Sequence, residues 1–335
     1  MFIVRHRKIF FILTTLLVIF SVGSMIVRGF NFGIDFTGGS ILEVSYDGAR
    51  PNQDEVKEKL NALSIGEYSL RPTGEHGYVL RTKELTLPEK NKALAALSLN
   101  SASTASTTAT TTKVSTAKAG VSATKTPTPV ATSTVMSAAK EDRFNTIGPV
   151  VGSELRSKAY VAIAVTILGI VLFVTFAFRK VSKPVQSWKY GLATIVALVH
   201  DVVIAAGVYI FITYFTGAEL DLLFMTALLA ILGYSVHDTI VVFDRVRENL
   251  HLNNETRNRE EFENVVGRSV SQTMGRSINT SLTIIIVLIA LYFVGGDTTR
   301  NFSLLLTLGV LVGTYSSICI ASPLLVVFEK FKRKA

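Results

Sequence analysis

Six long apolar runs govern what this chain can become. They are Ile9 to Val27, Tyr160 to Phe178, Leu192 to Phe215, Leu222 to Phe243, Ile278 to Val294 and Phe302 to Phe328. Each is near or above the roughly 18 apolar residues that reach across a bilayer core. Backbone groups in lipid must find their hydrogen bonds inside the segment, so such runs fold as helices. The first run follows Arg5, His6, Arg7 and Lys8. A signal peptide has that order, but its apolar core is only about 7–15 residues, so this run reads as an uncleaved span.

Charge then orients the spans. Six crossings put the N-terminus, the 179–190 and 244–277 connections and the C-terminus on one side. These hold 3, 4, 6 and 4 Lys/Arg, against none in 216–221 and one, Arg300, in 295–301. The positive-inside rule assigns both termini to the cytoplasm of a cell (inner) membrane. The 28–158 segment lies outside, and its 16 Lys/Arg do not vote, because long domains cross regardless of charge. The net charge of +9 thus reads as topology and contact with the lipid bilayer, and no nucleic-acid partner is expected. A lone cysteine, Cys319, excludes an internal disulfide and a multi-cysteine metal site.

The chain divides into a cytoplasmic N-terminus with the first span (1–28), an extracytoplasmic domain (29–158), a five-helix membrane domain (159–328) and a basic cytoplasmic tail (329–335). In the external part, Ser40 to Tyr46 alternates like a half-buried strand. Pro51 to Leu63 keeps Val56, Leu60 and Leu63 on one helical face. Two short strands are expected at Tyr68 to Arg71 and Tyr78 to Thr82, a second helix from Pro88 and a last strand before Gly148-Pro149. That order predicts a small α+β domain of ferredoxin-like type. Residues 100–135 are Ser, Thr, Ala and Lys with few large apolar side chains, and read as a disordered low-complexity insert.

Two carboxylates interrupt the apolar runs. Asp201 follows His200 in the third, and Asp238 follows His237 in the fourth. An isolated charge at the bilayer centre costs about 2.5–3.5 kcal/mol on insertion scales, so each faces a protein interior or a wet cavity. Each is either a structural polar contact or a functional group. Asp238 lies seven residues before Arg245, roughly 10 Å in from the cytoplasmic end of its helix. Arg276 begins the fifth helix just ahead of Asn279. An Arg there is within reach of Asp238, or else marks the membrane boundary. A carboxylate that exchanges a proton beside a permanent cation can act as a switch. Neighbouring residues diverge by about 100° on a helix, so the His-Asp pairs are poor chelators and no metal or cofactor is expected. GxxxxGK[ST] is absent and no catalytic constellation appears, so the chain is not read as an enzyme. In the sixth span, Gly309, Gly313, Ser317 and Ala321 recur every four residues and form a seam for close helix approach, with Pro323 a kink beyond it.

Three stretches resemble one family. Phe32-Gly33-Ile34-Asp35-Phe36-Thr37-Gly38-Gly39 is similar to the signature of the SecD/SecF accessory subunits of the Sec translocase. Leu232 to Asn249, LGYSVHDTIVVFDRVREN, and Arg276 to Ser281, RSINTS, resemble the SecF branch in particular, and the Ala197 to Val202 stretch also fits. The resemblance implies a six-helix half of an RND-like unit, completed by a SecD-like six-span subunit. Such a unit uses the proton motive force to drive late steps of preprotein export beside the Sec translocation channel. It implies a proton relay at Asp238 and Arg276, with Asp201, His237 and Asn279 as further intramembrane polar residues. It also places Asp35, Gly38 and Gly39 in a signature that is a hinge or an ordinary turn. A small-molecule or lipid efflux transporter, or a membrane scaffold, are the alternatives. The 100–135 stretch departs from the family pattern.

Overall fold

The computed structural model describes residues 2–98, 139–178, 186–256 and 260–334. The expected insert at 100–135 lies outside them. The chain separates into two compact units, residues 38–149 and the remainder.

The smaller unit is a four-stranded antiparallel sheet with two helices. Its elements run β1 (Gly39–Tyr46), α4 (Gln53–Ala62), β2 (Tyr68–Thr73), β3 (Gly77–Thr82), α5 (Leu87–Leu97) and β4 (Ala139–Ile147), with strand order β2-β3-β1-β4. This is the ferredoxin-like arrangement. Every expected element is present. The helices start where local chemistry offers a cap: the Asn52 side chain accepts from the Asp54 N–H, and the Glu89 carboxylate accepts from the Thr86 N–H. Leu42, Val44 and Leu80 from the sheet pack against Val56, Leu60 and Leu97 from the helices. Tyr46 is buried beside Tyr78, and its hydroxyl donates to the Leu97 carbonyl. Burial, then the Tyr78 neighbour, pushes its phenol up to about 12.

The larger unit holds six helices long and apolar enough to cross a membrane. A short α1 (Phe2–Arg5) precedes the first span, α2 (Arg7–Arg28), and a single turn α3 (Ile34–Thr37) follows it. The spans continue as α6 (Pro149–Ala177), α7 (Ser187–Thr216), α8 (Leu222–Glu255) and α9 (Phe262–Val294). The sixth is α10 (Asp297–Ser316), a π-turn (Ser317–Ala321) and α11 (Ser322–Lys334). Helix α10 packs against α7, α8 and α9. The outward faces of α2, α6 and α9 are apolar and exposed, as lipid-facing helices require.

Two boundaries differ from the sequence reading. The second span begins at Pro149, well before its apolar run, because proline suits the first helical position. Residues 244–255 and 262–277 are helical rather than a loop. They prolong α8 and α9 into a hairpin, because Val246 and Leu250 pack against Val265, Val266 and Val270. Asn249 reinforces it by donating to Ser269 and Gln272, each at 2.8 Å.

Candidate functional site

The buried polar residues of the larger unit form a layer shared by α7, α8, α9 and α10. Asp201 is fully buried. One of its oxygens lies 2.8 Å from His200 Nδ1. The other accepts hydrogen bonds from Ser235 of α8 and from Ser316 of α10, the latter at 2.7 Å. Three helices thus meet on one carboxylate.

One turn along α8, Asp238 is also buried, but its Oδ2 has no hydrogen-bond partner among the described residues. Ser277 of α9 lies beside this carboxylate without bonding it. Its Oγ is likewise buried without a partner in bonding geometry. The same helices carry two groups of hydroxyls in contact. Tyr234 contacts Ser281 at 2.7 Å and Ser281 contacts Thr314 at 2.5 Å, while Thr239 contacts Ser317 at 2.8 Å. A hydroxyl can both donate and accept, the property a proton path needs. An unsatisfied buried carboxyl oxygen is expensive, so such an atom marks a strain reservoir or a functional group.

Arg276 does not join this layer. It lies next to Ser277, and adjacent helical residues diverge by about 100°. With Ser277 turned inward, Arg276 is exposed and makes no ion pair with Asp238 among the described residues. His237 and Asn279 are exposed for the same geometric reason. The expected Asp238–Arg276 contact is therefore not formed within this chain. Arg276, Asn279 and Thr283 instead line the outer side of α9, and Thr226, Gly233 and His237 the outer side of α8.

The small-residue seam of the sixth span is partly regular. A Cβ on Gly309 would fall 2.2 Å from an Ile231 side-chain carbon, and one on Gly313 3.2 Å from Ser235 Cβ, so this half of the seam seats α8. Ser317 and Ala321 lie in the π-turn instead. The extra residue per turn accommodates Pro323, which supplies no N–H to the carbonyl four residues before it. The turn also puts Ser316 and Ser317 side by side, one bonded to Asp201 and the other to Thr239.

The Gly-Gly signature has two roles. Gly33 N–H donates to the Leu220 carbonyl at 2.8 Å, and Asp35 Oδ2 accepts from the Leu222 N–H at 2.7 Å. Asp35 thereby caps α8 together with Asp221, which accepts from the Phe224 N–H. Gly38 and Gly39 have φ of 73° and 125°. A Cβ on Gly38 would fall 2.6 Å from Pro149 Cα, so only glycine fits this turn.

Ser235, Ser277 and Ser316 were not singled out by sequence reasoning, and His200 was weighed there only with Asp201 as a poor chelator. The i, i+4 pair Ser277/Ser281 and the run Ser235, Asp238, Thr239 carried the signal, since each puts polar atoms on one helical face.

Comparison with known proteins agrees with this architecture. Residues 129–331 match the family model for the protein export membrane protein SecD/SecF, C-terminal, and residues 23–49 match the SecD/SecF GG motif. The chain is 37% identical to the protein translocase subunit SecF of Thermobaculum terrenum, over 98% of this chain and 93% of that one. It is 33% identical to the Pseudomonas aeruginosa subunit of the same name, over 96% and 89%. Among solved structures, it is similar to SecDF, a translocon-associated membrane protein from Thermus thermophilus. The TM-score is 0.71 at 30% identity, covering 98% of this chain and 38% of that one.

Proposed function

The chain belongs to the SecF branch of the SecD/SecF family of protein export membrane proteins, and we propose that it serves the Sec translocase as an accessory subunit coupling the proton motive force to late steps of preprotein export. Its site is the buried Asp238, with Arg276 as the cation that sets its charge state once a partner is in place. The observation that carries this reading is the buried Oδ2 of Asp238, unpartnered among the described residues, within a candidate membrane span. A carboxyl group there has no reason to be retained for packing, since an Asn or a Leu would cost less to bury.

The partner is a second six-span subunit of SecD type. Supporting this, Arg276, Asn279 and His237 are exposed on two apolar helices, where lipid is a poor neighbour for a guanidinium. The chain also spans 38% of the SecDF chain it resembles, leaving room for a matching half. The positive-inside count supports cytoplasmic termini and an external ferredoxin-like domain. The remaining partners are then the Sec translocation channel and the preprotein, and the chain performs no chemistry on its cargo.

The test is pulse-chase export of a secreted preprotein in cells whose sole copy is Asp238→Asn, with both subunits followed by blot. Slowed export at normal subunit levels is expected. Unchanged export removes the coupling role.

A further inference from the structure

We propose that His200 is a second proton-carrying residue of the membrane half, oriented by Asp201 and exchanging its proton at Nε2. This deepens the proton-coupled reading above and rests on it.

His200 is 6% exposed and lies mid-helix in α7. Its Nδ1 is 2.8 Å from Asp201 Oδ1, and the other Asp201 oxygen accepts from Ser235 and Ser316. Two hydroxyls thus donate to one Asp201 oxygen, and we take the His200 ring as the donor to the other. Nδ1 then carries the hydrogen, which leaves the lone pair on Nε2. That nitrogen is buried with no hydrogen-bond partner among the described residues. A buried acceptor facing neither water nor a donor is costly. Adding a proton there forms an N–H bond and an imidazolium, and the Asp201 anion beside it balances the new charge. The same atom later returns the proton, so nothing else is consumed.

The surroundings single out this pair. Helix α8 brings Ser235 and, one turn on, Asp238. Helix α10 brings Ser316 and has no charged residue past Arg300. Helices α2 and α6 carry no charge between Lys8 and Arg28 or between Lys158 and Phe178. Helix α9 turns Ser277 and Ser281 inward and Arg276 outward. Cys319 of the π-turn belongs to a separate cluster with Val4 and Val270. Helix α11 also packs against α7 and carries its charges, Glu329 and Lys330 among them, in its C-terminal half. Asp201 is the charged group in contact with the ring among the described residues, and Asp238 is the titratable group one turn past Ser235 on α8.

The chain has five histidines, so converting His6, His76, His237 and His251 to Gln leaves His200 as the one signal. Nitrogen NMR of histidine-labelled chain, reassembled with its unlabelled six-span partner in bilayers, should show Nδ1 protonated throughout. It should also show Nε2 gaining a proton as pH is lowered across the range in which the assembly stays folded. A ring that keeps one protonation state over that range overturns the proposal. In the export assay, His200→Asn retains a donor toward Asp201 and lacks Nε2. A several-fold slower export at normal subunit levels is expected. Wild-type export with His200→Asn, while Asp238→Asn is slow, overturns this proposal alone. Wild-type export in both overturns the proton-coupled reading as well. Should His200→Asn fail to accumulate, the NMR titration decides.

Discussion

Asp35 and Asp238 are single carboxylates placed to opposite ends. Asp35 has a job as an anion: it accepts from the Leu222 N–H at 2.7 Å and caps α8. Asp35→Ala should lower stability by about 0.5–2 kcal/mol, the usual worth of a cap, read as a lower melting temperature of the detergent-purified chain. Asp35→Asn should retain most of it, because an amide oxygen still accepts. An Asn variant as damaging as the Ala variant would contradict the capping role. Asp238 is the reverse case, since its Oδ2 accepts from nothing described. Asp238→Asn should therefore leave folding intact and alter coupling alone. Tyr46 illustrates how burial sets a titration in the external unit. Its folded phenol titrates at about 12 rather than 10, so the folded state holds the proton more tightly than the unfolded chain. The stability it contributes is complete below pH 10 and is lost as pH rises from 10 toward 12. Alkaline denaturation followed by tyrosinate absorbance should place unfolding of this unit in that window, and Tyr46→Phe should move it upward.

The helices of the membrane half owe their pairing to small residues, and the atoms each small residue faces decide what a substitution costs. Gly207 of α7 sits against the backbone of α2: an added Cβ would meet Ser21 Cα at 2.6 Å and its carbonyl oxygen at 2.7 Å. Backbone cannot rotate away, so the two helices must separate. Gly309 meets only side-chain carbons of Ile231, which can change rotamer at a cost of about 1–3 kcal/mol for overpacking. Gly207→Ala should therefore reduce accumulation in membranes more than Gly309→Ala does. Ile231→Val should partly rescue the Gly309 variant and leave the Gly207 variant unrescued. Equal damage at both sites would mean that neither contact governs assembly. The π-turn at Ser317–Ala321 belongs to the same argument. A straight α-helix through Pro323 would lack a backbone bond, and widening one turn absorbs the mismatch while delivering Ser316 and Ser317 to two different partners.

The unit formed by the six spans has its apolar surface and its polar layer in the places a bilayer demands, with one exception. Arg276, Asn279 and His237 are exposed on α8 and α9, although both helices are apolar enough to cross a membrane. On the function proposed above, this exposed guanidinium faces the second subunit. Copurification should therefore recover a six-span partner in detergent. Arg276→Leu should abolish proton-gradient dependence of export, measured by collapsing the gradient with an ionophore, while leaving copurification detectable. Loss of the partner with full retention of gradient dependence would reverse the assignment and make Arg276 a docking residue only.

Composition and spacing by themselves determined much of this protein. Apolar run length dictates six helices, because backbone in lipid admits no other open structure. Alternation and capping residues dictate the βαββαβ unit, since each of those signals acts within a few residues. The presence of Asp201 and Asp238 in the spans was equally legible, because a charge in an apolar run stands out against its neighbours. Which partner each carboxylate has was not. That Asp201 is satisfied by His200, Ser235 and Ser316 while Asp238 is left with a bare oxygen depends on how α7, α8 and α10 are rotated about their axes. The inward turn of Ser277, which carries Arg276 to the surface, is likewise a matter of rotation. Helix rotation is set by side chains distant in the chain, such as Gly309 against Ile231 and Gly207 against Ser21. Local sequence specifies a helix and its apolar side; only the packing of the finished bundle decides which of its polar atoms meet.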